Sequence, residues 1–134
     1  MKKFCLMLML ILSAAFISAA GEPAPAAVLT AQNASKISGA ARAEDNSFIG
    51  WMQTGSLITL APDAENYTSC KVTVSGKAGQ VIRVLIGKRE IVRGKLSADG
   101  KHTVTLKFPA PCSGIIWLHF PQGMNEFYRA EFFK

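Results

Sequence analysis

Apolar and polar residues alternate with a period of two along much of the chain. The clearest case is the apolar stretch that follows Gly114, in which Ile116 and Leu118 fall on one face while Trp117 and His119 fall on the other. This alternation predicts a strand with one face in a hydrophobic core and a second face that carries an indole and an imidazole.

Other runs of this kind are separated by turn signals that contain Gly, Pro or Asp. The predicted strands are Val28–Gln32, Lys36–Ala43, Phe48–Met52, Ser56–Leu60, Tyr67–Ser75, Val81–Ile86, Glu90–Leu96, His102–Phe108, Gly114–Phe120 and Glu126–Phe133. No stretch of useful length has the period of an amphipathic helix. Short strands at this spacing predict an all-β protein, built as an antiparallel sandwich or barrel.

The first twenty residues have the parts of a secretory signal peptide: a basic start, an apolar run to Ile17 and the small residues Ser18-Ala19-Ala20. The apolar run is shorter than the roughly 20 residues that a membrane span needs, and no second run follows. We therefore expect cleavage before Gly21, a secreted or periplasmic protein, and no membrane span.

Export would divide the chain into a signal peptide at residues 1–20, a mobile Pro/Ala linker at 21–27 and a single β-sandwich domain at 28–134. The whole chain has a net charge of +6, and loss of Lys2 and Lys3 lowers it to +4. This mild charge predicts no nucleic-acid partner, and the central basic residues are expected to form a solvated sheet face. An acidic polysaccharide is the alternative ligand for those charges.

The predicted domain contains two cysteines, Cys70 and Cys112. An even number of cysteines in an oxidising compartment predicts one disulfide. Its loop of about 40 residues would contribute on the order of 4 kcal/mol in the chain-entropy model. Two free thiols are the alternative.

Residues suited to catalysis are few. His102 and His119 are the only histidines, and no serine lies in a nucleophile-elbow or triad context. The carboxylates have no distinguishing context that would pair them as in a glycosidase. A copper site would need Cys112, His119 and Met124 on one tight loop, but a whole predicted strand separates the cysteine from the histidine. We therefore predict that the protein is not an enzyme.

Aromatic residues near loops give the more useful indication of function. Trp51 follows Asn46 closely, and Tyr128 follows Asn125. Aromatic rings stack on the apolar faces of sugars, and amides hydrogen-bond with sugar hydroxyls, so these pairs predict a weak sugar site. The alternative is that both rings belong to the core of a small sandwich.

A series of short motifs runs along almost the whole predicted domain. They are Ser38-Gly39, Phe48-Ile49-Gly50-Trp51, Gly55-Ser56-Leu57-Ile58, Tyr67 with Val72-Thr73-Val74-Ser75-Gly76, Val84-Leu85-Ile86-Gly87, Gly114-Ile115-Ile116-Trp117-Leu118 and Ala130-Glu131-Phe132. Together they resemble the galactose-binding-like jelly rolls, which include many carbohydrate-binding modules. The resemblance implies an antiparallel β-sandwich of jelly-roll type that binds a polysaccharide or glycan without catalysis.

In such modules the ligand meets loop aromatics at one edge or, less often, the concave face of a sheet. The resemblance implies an edge site at Trp51, Asn125, Asn46 and Tyr128, and a face site at Trp117, His119 and Arg83. Several of these modules also hold a structural calcium ion between the first and last strands. The corresponding positions are Gln32 and Glu131, whose oxygen atoms suit calcium.

The alternative function is a protein-interaction or envelope-structural module that docks onto a partner protein and binds no sugar. Burial of the tryptophans beneath a wide apolar patch would favour this alternative. An exposed Trp51 beside free amide groups would favour sugar binding.

Overall fold

The computed structural model describes residues 24–59 and 64–134. Within these ranges the chain forms eleven β-strands, and no helix there is long and apolar enough to cross a membrane. The strands are β1 (Ala27–Thr30), β2 (Lys36–Ser38), β3 (Ala41–Arg42), β4 (Ile49–Met52), β5 (Ser56–Thr59), β6 (Ala64–Gly76), β7 (Val81–Ile86), β8 (Arg89–Lys95), β9 (Gly100–Gly114), β10 (Ile116–Phe120) and β11 (Met124–Phe133). The predicted signal peptide lies outside the described residues, and β1 begins one residue before the predicted start of the domain.

The strands form two antiparallel sheets. Sheet I has the order β3-β4-β11-β6-β9, and β1 pairs with β11 beyond the residues that pair with β4. Sheet II has the order β2-β5-β10-β7-β8, so β10 is its central strand. The predicted all-β, antiparallel sandwich of jelly-roll type is confirmed.

The core is built by alternating side chains of both sheets. In β10, Ile116, Leu118 and Phe120 are completely buried, while Trp117 and His119 lie on the outer face of sheet II. The large buried side chains of sheet I are Phe127, Phe132, Leu29, Ile49, Val72 and Val74. Full burial of one such side chain contributes about 1.5–3 kcal/mol, and these residues belong to one continuous cluster that stabilises the sandwich.

The single strand predicted at Lys36–Ala43 is divided between the two sheets. Strand β2 pairs with β5 in sheet II, and β3 pairs with β4 in sheet I. The chain turns between them at Gly39, whose φ of +70° is adopted without steric cost only by glycine. The Gly39 carbonyl accepts hydrogen bonds from the Gln53 N–H at 2.9 Å and the Ser56 hydroxyl at 2.8 Å. These bonds tie the crossing to the β4–β5 turn.

Cys70 and Cys112 are both free thiols, so the predicted disulfide is wrong. The β6–β9 register pairs Cys70 with Leu106, whereas Cys112 pairs with Tyr67. Tyr67, the residue opposite Cys112, lies three residues before Cys70 on β6, which is about 10 Å at the rise of an extended strand. A disulfide requires Cα atoms within about 7 Å of each other. Burial raises the pKa of the Cys70 thiol to about 12, which suppresses its reactive thiolate form.

Candidate functional site

An open cleft of about 670 Å³ lies where β4 runs beside the start of β11. Its lining residues are Phe48, Gly50, Trp51, Met52, Gln53, Met124, Asn125 and Glu126. Among the described residues, Trp51 is the most exposed large apolar side chain, at 69%. On the neighbouring strand, Asn125 lies between Met124, which pairs with Met52, and Glu126, which pairs with Gly50. We call this feature the edge cleft.

The backbone of Trp51 explains why its ring faces solvent. Regular alternation would turn Trp51 to the same side as Ile49, which is completely buried. Instead, Trp51 has a φ of +51°, which is rare for a bulky side chain. The local reversal exposes the indole and leaves Met52 buried in the core.

Three aromatic rings form a row beside the edge cleft. The ring of Phe48 lies 6.3 Å from that of Trp51 and 6.3 Å from that of Tyr128, measured between centroids. Phe48 lies against Gly50, where a Cβ atom would come within 2.8 Å of its ring. The missing side chain at Gly50 therefore leaves the space that the middle ring occupies.

Tyr128 ends the row at an irregularity of β11, where the register with β6 shifts between Phe127 and Arg129. Its hydroxyl donates a hydrogen bond to Oε2 of Glu126 at 3.0 Å, and Nζ of Lys101 lies 4.0 Å from its ring centroid. Burial and the neighbouring Glu126 raise the pKa of Tyr128, so its hydroxyl remains a donor at neutral pH. These two contacts hold the ring in place.

A second candidate site lies on the outer face of sheet II. Its hollow of about 540 Å³ is lined by Leu57, Arg83, Leu85, Gly87, Lys88 and Trp117. Trp117 is half-buried between Leu85 and Thr59 of the flanking strands, and Nζ of Lys36 lies 5.9 Å from its ring centroid. This hollow is called the face site below.

Charged residues beside the face site form one connected network. Arg83 donates hydrogen bonds to Nδ1 of His119 at 2.9 Å and to Oε1 of Glu90 at 2.6 Å, and Arg93 also contacts Glu90 at 2.8 Å. An arginine can only donate, so Nδ1 of His119 accepts and the neutral ring carries its proton on Nε2. Burial first, and then the charge of Arg83, lower the pKa of His119. Hydrogen bonds from both arginines lower the pKa of Glu90.

Comparison with known proteins gives matches in structure only. No protein-family model matches the chain, and no characterised protein is detectably similar in sequence. CsCBM6-3 from Clostridium stercorarium, solved in complex with cellobiose, superposes with a TM-score of 0.64 at 15% identity, over 81% of this chain and 93% of that one. CBM6cm-2 from Cellvibrio mixtus lichenase 5A, solved with cellotriose, gives 0.63 at 14% identity, over 82% and 98%. A β-1,3-glucan-binding CBM6 from Bacillus halodurans gives 0.58 at 18% identity, over 82% and 97%.

The chain has the fold of family 6 carbohydrate-binding modules. The resemblance to galactose-binding-like jelly rolls of this kind is therefore confirmed. At identities this low the likeness extends to the fold alone, so a function of this chain has to be argued from its own side chains.

The structure brings together only part of the predicted edge site. Trp51 and Asn125 share the cleft, and Tyr128 lies beside it at the end of the aromatic row. Asn46 does not line the cleft, because it belongs to the preceding turn, where its N–H donates to the carbonyl of Ala43 at 3.0 Å. The predicted face residues Trp117, His119 and Arg83 do share one surface of sheet II. Sequence reasoning did not select Phe48, Gln53 or Glu126. The ring of Phe48 takes its place because Gly50 has no side chain, and the pairing of β4 with β11 brings Glu126 to the cleft.

The calcium site expected at Gln32 and Glu131 stays a prediction, and the two residues do not pair with each other across the first and last strands. Glu131 pairs with Val28 in β1, whereas Gln32 lies in the turn that follows this strand, four residues beyond Val28. The Glu131 carboxylate instead lies 3.6 Å from the Arg129 guanidinium. Across residues 24–59 and 64–134, no three His, Cys, Asp or Glu side chains are grouped to hold a metal ion.

Proposed function

We propose that the module is a non-catalytic carbohydrate-binding domain and that the edge cleft is its principal site. The main support for this proposal is the exposure of Trp51. Its large side chain is 69% exposed, and its backbone has a φ of +51°. Such strain costs on the order of 1–3 kcal/mol and persists where the surrounding structure imposes it, often at ligand sites. A sugar stacked on the indole would cover its apolar surface.

The polar groups of the cleft suit sugar hydroxyls. The side-chain amides of Gln53 and Asn125 have no hydrogen-bond partner among the described residues, so both their donors and acceptors are free. Glu126 adds a carboxylate acceptor. One apolar platform bordered by amide and carboxylate groups is the arrangement that a pyranose ring requires, with stacking on its face and hydrogen bonds at its rim.

The expected affinity is low and the expected ligand is a polysaccharide. One exposed indole and a few solvent-exposed hydrogen bonds predict a Kd on the order of 0.1–1 mM for an oligosaccharide. The row of Trp51, Phe48 and Tyr128 provides a surface longer than a single ring. Structural neighbours were solved with cellobiose and cellotriose, and another binds β-1,3-glucan, so we propose a β-linked glucan as the first ligand class to test.

A catalytic role is not part of the proposal. Two carboxyl groups are needed in the usual glycosidase mechanisms, but Glu126 is the only carboxyl among the residues that line the edge cleft. At the face site, Nδ1 of His119 is engaged by Arg83. We further propose that the segment 1–20 directs export, which would bring the module to polysaccharides outside the cytoplasm.

The experiment is affinity electrophoresis of the purified protein through gels that contain hydroxyethyl cellulose, mixed-linkage β-glucan, laminarin or xylan, with dextran as a control polymer. We compare Trp51→Ala with Trp117→Ala, which makes the same substitution on the other sheet. Retardation of the parent protein, lost in Trp51→Ala and kept in Trp117→Ala, is the expected result. Absence of retardation in every gel, with folding confirmed by urea titration, would contradict the proposal. Loss in Trp117→Ala alone would move the site to sheet II.

A further inference from the structure

The outer face of sheet I has a distinctive composition where β6 runs beside β9. Alternation turns four residues of each strand outward, and the antiparallel register places them side by side. These residues are Ser69, Lys71, Thr73 and Ser75 on β6, and Lys101, Thr103, Thr105 and Lys107 on β9. We call them the lysine–hydroxyl face. It offers three ammonium groups and five hydroxyl groups, and none of its eight residues carries a carboxylate.

Positive charge is concentrated at one end of this face. A hollow of about 560 Å³ there is lined by Thr68, Ser69, Lys71, Thr105, Lys107, Glu131, Phe133 and Lys134. Its one acidic side chain, Glu131, lies 3.6 Å from the Arg129 guanidinium and beside Lys71 on the neighbouring strand. The three lysines of the hollow are Lys71, Lys107 and Lys134, and none of them forms an ion pair with any residue of the part of the chain that the structure describes. The hollow therefore combines three lysines that form no ion pair with one acidic side chain that lies near Arg129.

We propose that the lysine–hydroxyl face binds an anionic polysaccharide through its carboxylate or sulfate groups. Lysine forms charge-assisted hydrogen bonds with such groups, and neighbouring hydroxyls supply further donors. The Thr73 and Thr103 hydroxyls already lie 3.0 Å apart across the two strands. Outward residues recur about every 6.7 Å along a strand, so the face presents a repeating row of donors to a repeating polymer.

Two other polyanionic partners fit this face less well. Sites for single-stranded nucleic acid combine cations with exposed aromatic platforms, but Phe133 is only 9% exposed and Lys71 lies over its ring at 5.5 Å. Peripheral binding to a membrane usually inserts apolar side chains. The exposed large apolar residues among those described are Trp51 and Ile115, and both lie outside this face. An anionic polysaccharide requires neither feature.

The test measures migration of the purified protein through gels that contain polygalacturonate or dextran sulfate, which separate carboxylate from sulfate recognition. Dextran is the uncharged control polymer. Removal of two cations in Lys71→Gln/Lys107→Gln should weaken binding about tenfold, and added salt should weaken it further. The matched variant Lys77→Gln/Lys95→Gln removes the same charge from exposed positions outside the face and should change binding by less than about twofold.

Three results would overturn the proposal. Equal weakening by both double variants would show that net charge alone is responsible. Retention by single-stranded DNA or phosphatidylglycerol vesicles, but by neither acidic polysaccharide, would assign the face to another kind of partner. No retardation by either acidic polymer, with a normal urea transition, would exclude the site. Trp51→Ala should leave this binding unchanged, so the proposal and the edge-cleft function can fail independently.

Discussion

Replacement of Gly50 by alanine should weaken sugar binding at the edge cleft with little effect on folding. A Cβ atom at this position would lie 2.8 Å from Cε2 and 3.3 Å from Cδ2 of Phe48, whereas the nearest backbone atom, the Asn125 carbonyl oxygen, is 4.0 Å away. The main chain can therefore stay in place, and the Phe48 ring has to move. Because Phe48 lies between Trp51 and Tyr128, its displacement breaks the aromatic row.

The expected change in stability is small because two effects oppose each other. Loss of two aromatic contacts costs about 0.5–1.5 kcal/mol each. Alanine at a position with an ordinary φ restricts the unfolded chain and returns about 0.4–1 kcal/mol. We expect the free energy of unfolding to fall by no more than about 2.6 kcal/mol. Disruption of the platform should weaken oligosaccharide binding about fivefold, which corresponds to about 1 kcal/mol.

Urea titration measures the stability of the Gly50→Ala variant, and calorimetric titration with an oligosaccharide of the retarding polysaccharide measures its affinity. The matched control makes the same substitution in a Phe48→Ala background, where no ring has to move. A double-mutant cycle should give a coupling of about 1 kcal/mol in binding. An equal loss of affinity in both backgrounds would show that Phe48 does not mediate the effect and would refute the reasoning.

Two further predictions concern single side chains. Iodoacetamide at about pH 8 should modify Cys112 and leave Cys70 intact until the protein is unfolded, because burial raises the Cys70 pKa to about 12. Peptide mass spectrometry identifies the modified cysteine. Modification of Cys70 in the folded protein would contradict the prediction. Folding lowers the pKa of His119 from 6.5. As pH falls below 6.5, the unfolded chain therefore binds more protons than the folded chain. The stability gained from the neutral ring is lost as pH falls through the folded pKa. Between about pH 7.5 and about pH 5.5, His119→Gln should therefore lose less stability in urea titrations than the parent protein, and an equal loss would argue against the shift.

Much of the architecture could be predicted because it follows from local alternation. The buried set Ile116, Leu118 and Phe120 is apparent from sequence alone, since each residue points to the side opposite its neighbour. The passage of the chain from sheet II to sheet I at Gly39 could not be predicted, because a strand that changes sheets has the same local pattern as one that stays in a single sheet. The disulfide prediction failed because an even number of cysteines says nothing about register, and the register separates Cys70 from Cys112.

The candidate site was predictable only in part. An aromatic residue near a loop and close to Asn46 indicated Trp51 from sequence, but the positive φ that exposes its ring depends on how β4 fits between the core and β11. The approach of Glu126 to Gly50 joins positions far apart in sequence. Phe48 lies in the middle of the row because Gly50 leaves room for its ring, a relation that no local pattern specifies.

The central claim, that a sugar stacks on Trp51, can be tested directly by NMR because the chain contains only two tryptophans. Their indole N–H groups give two signals, which Trp117→Phe assigns. During titration with cellotetraose, and then with a β-1,3-linked glucan tetrasaccharide, the Trp51 signal should shift in a saturable manner while the Trp117 signal stays in place. A shift of the Trp117 signal alone, or of neither signal at concentrations well above about 1 mM, would contradict the account.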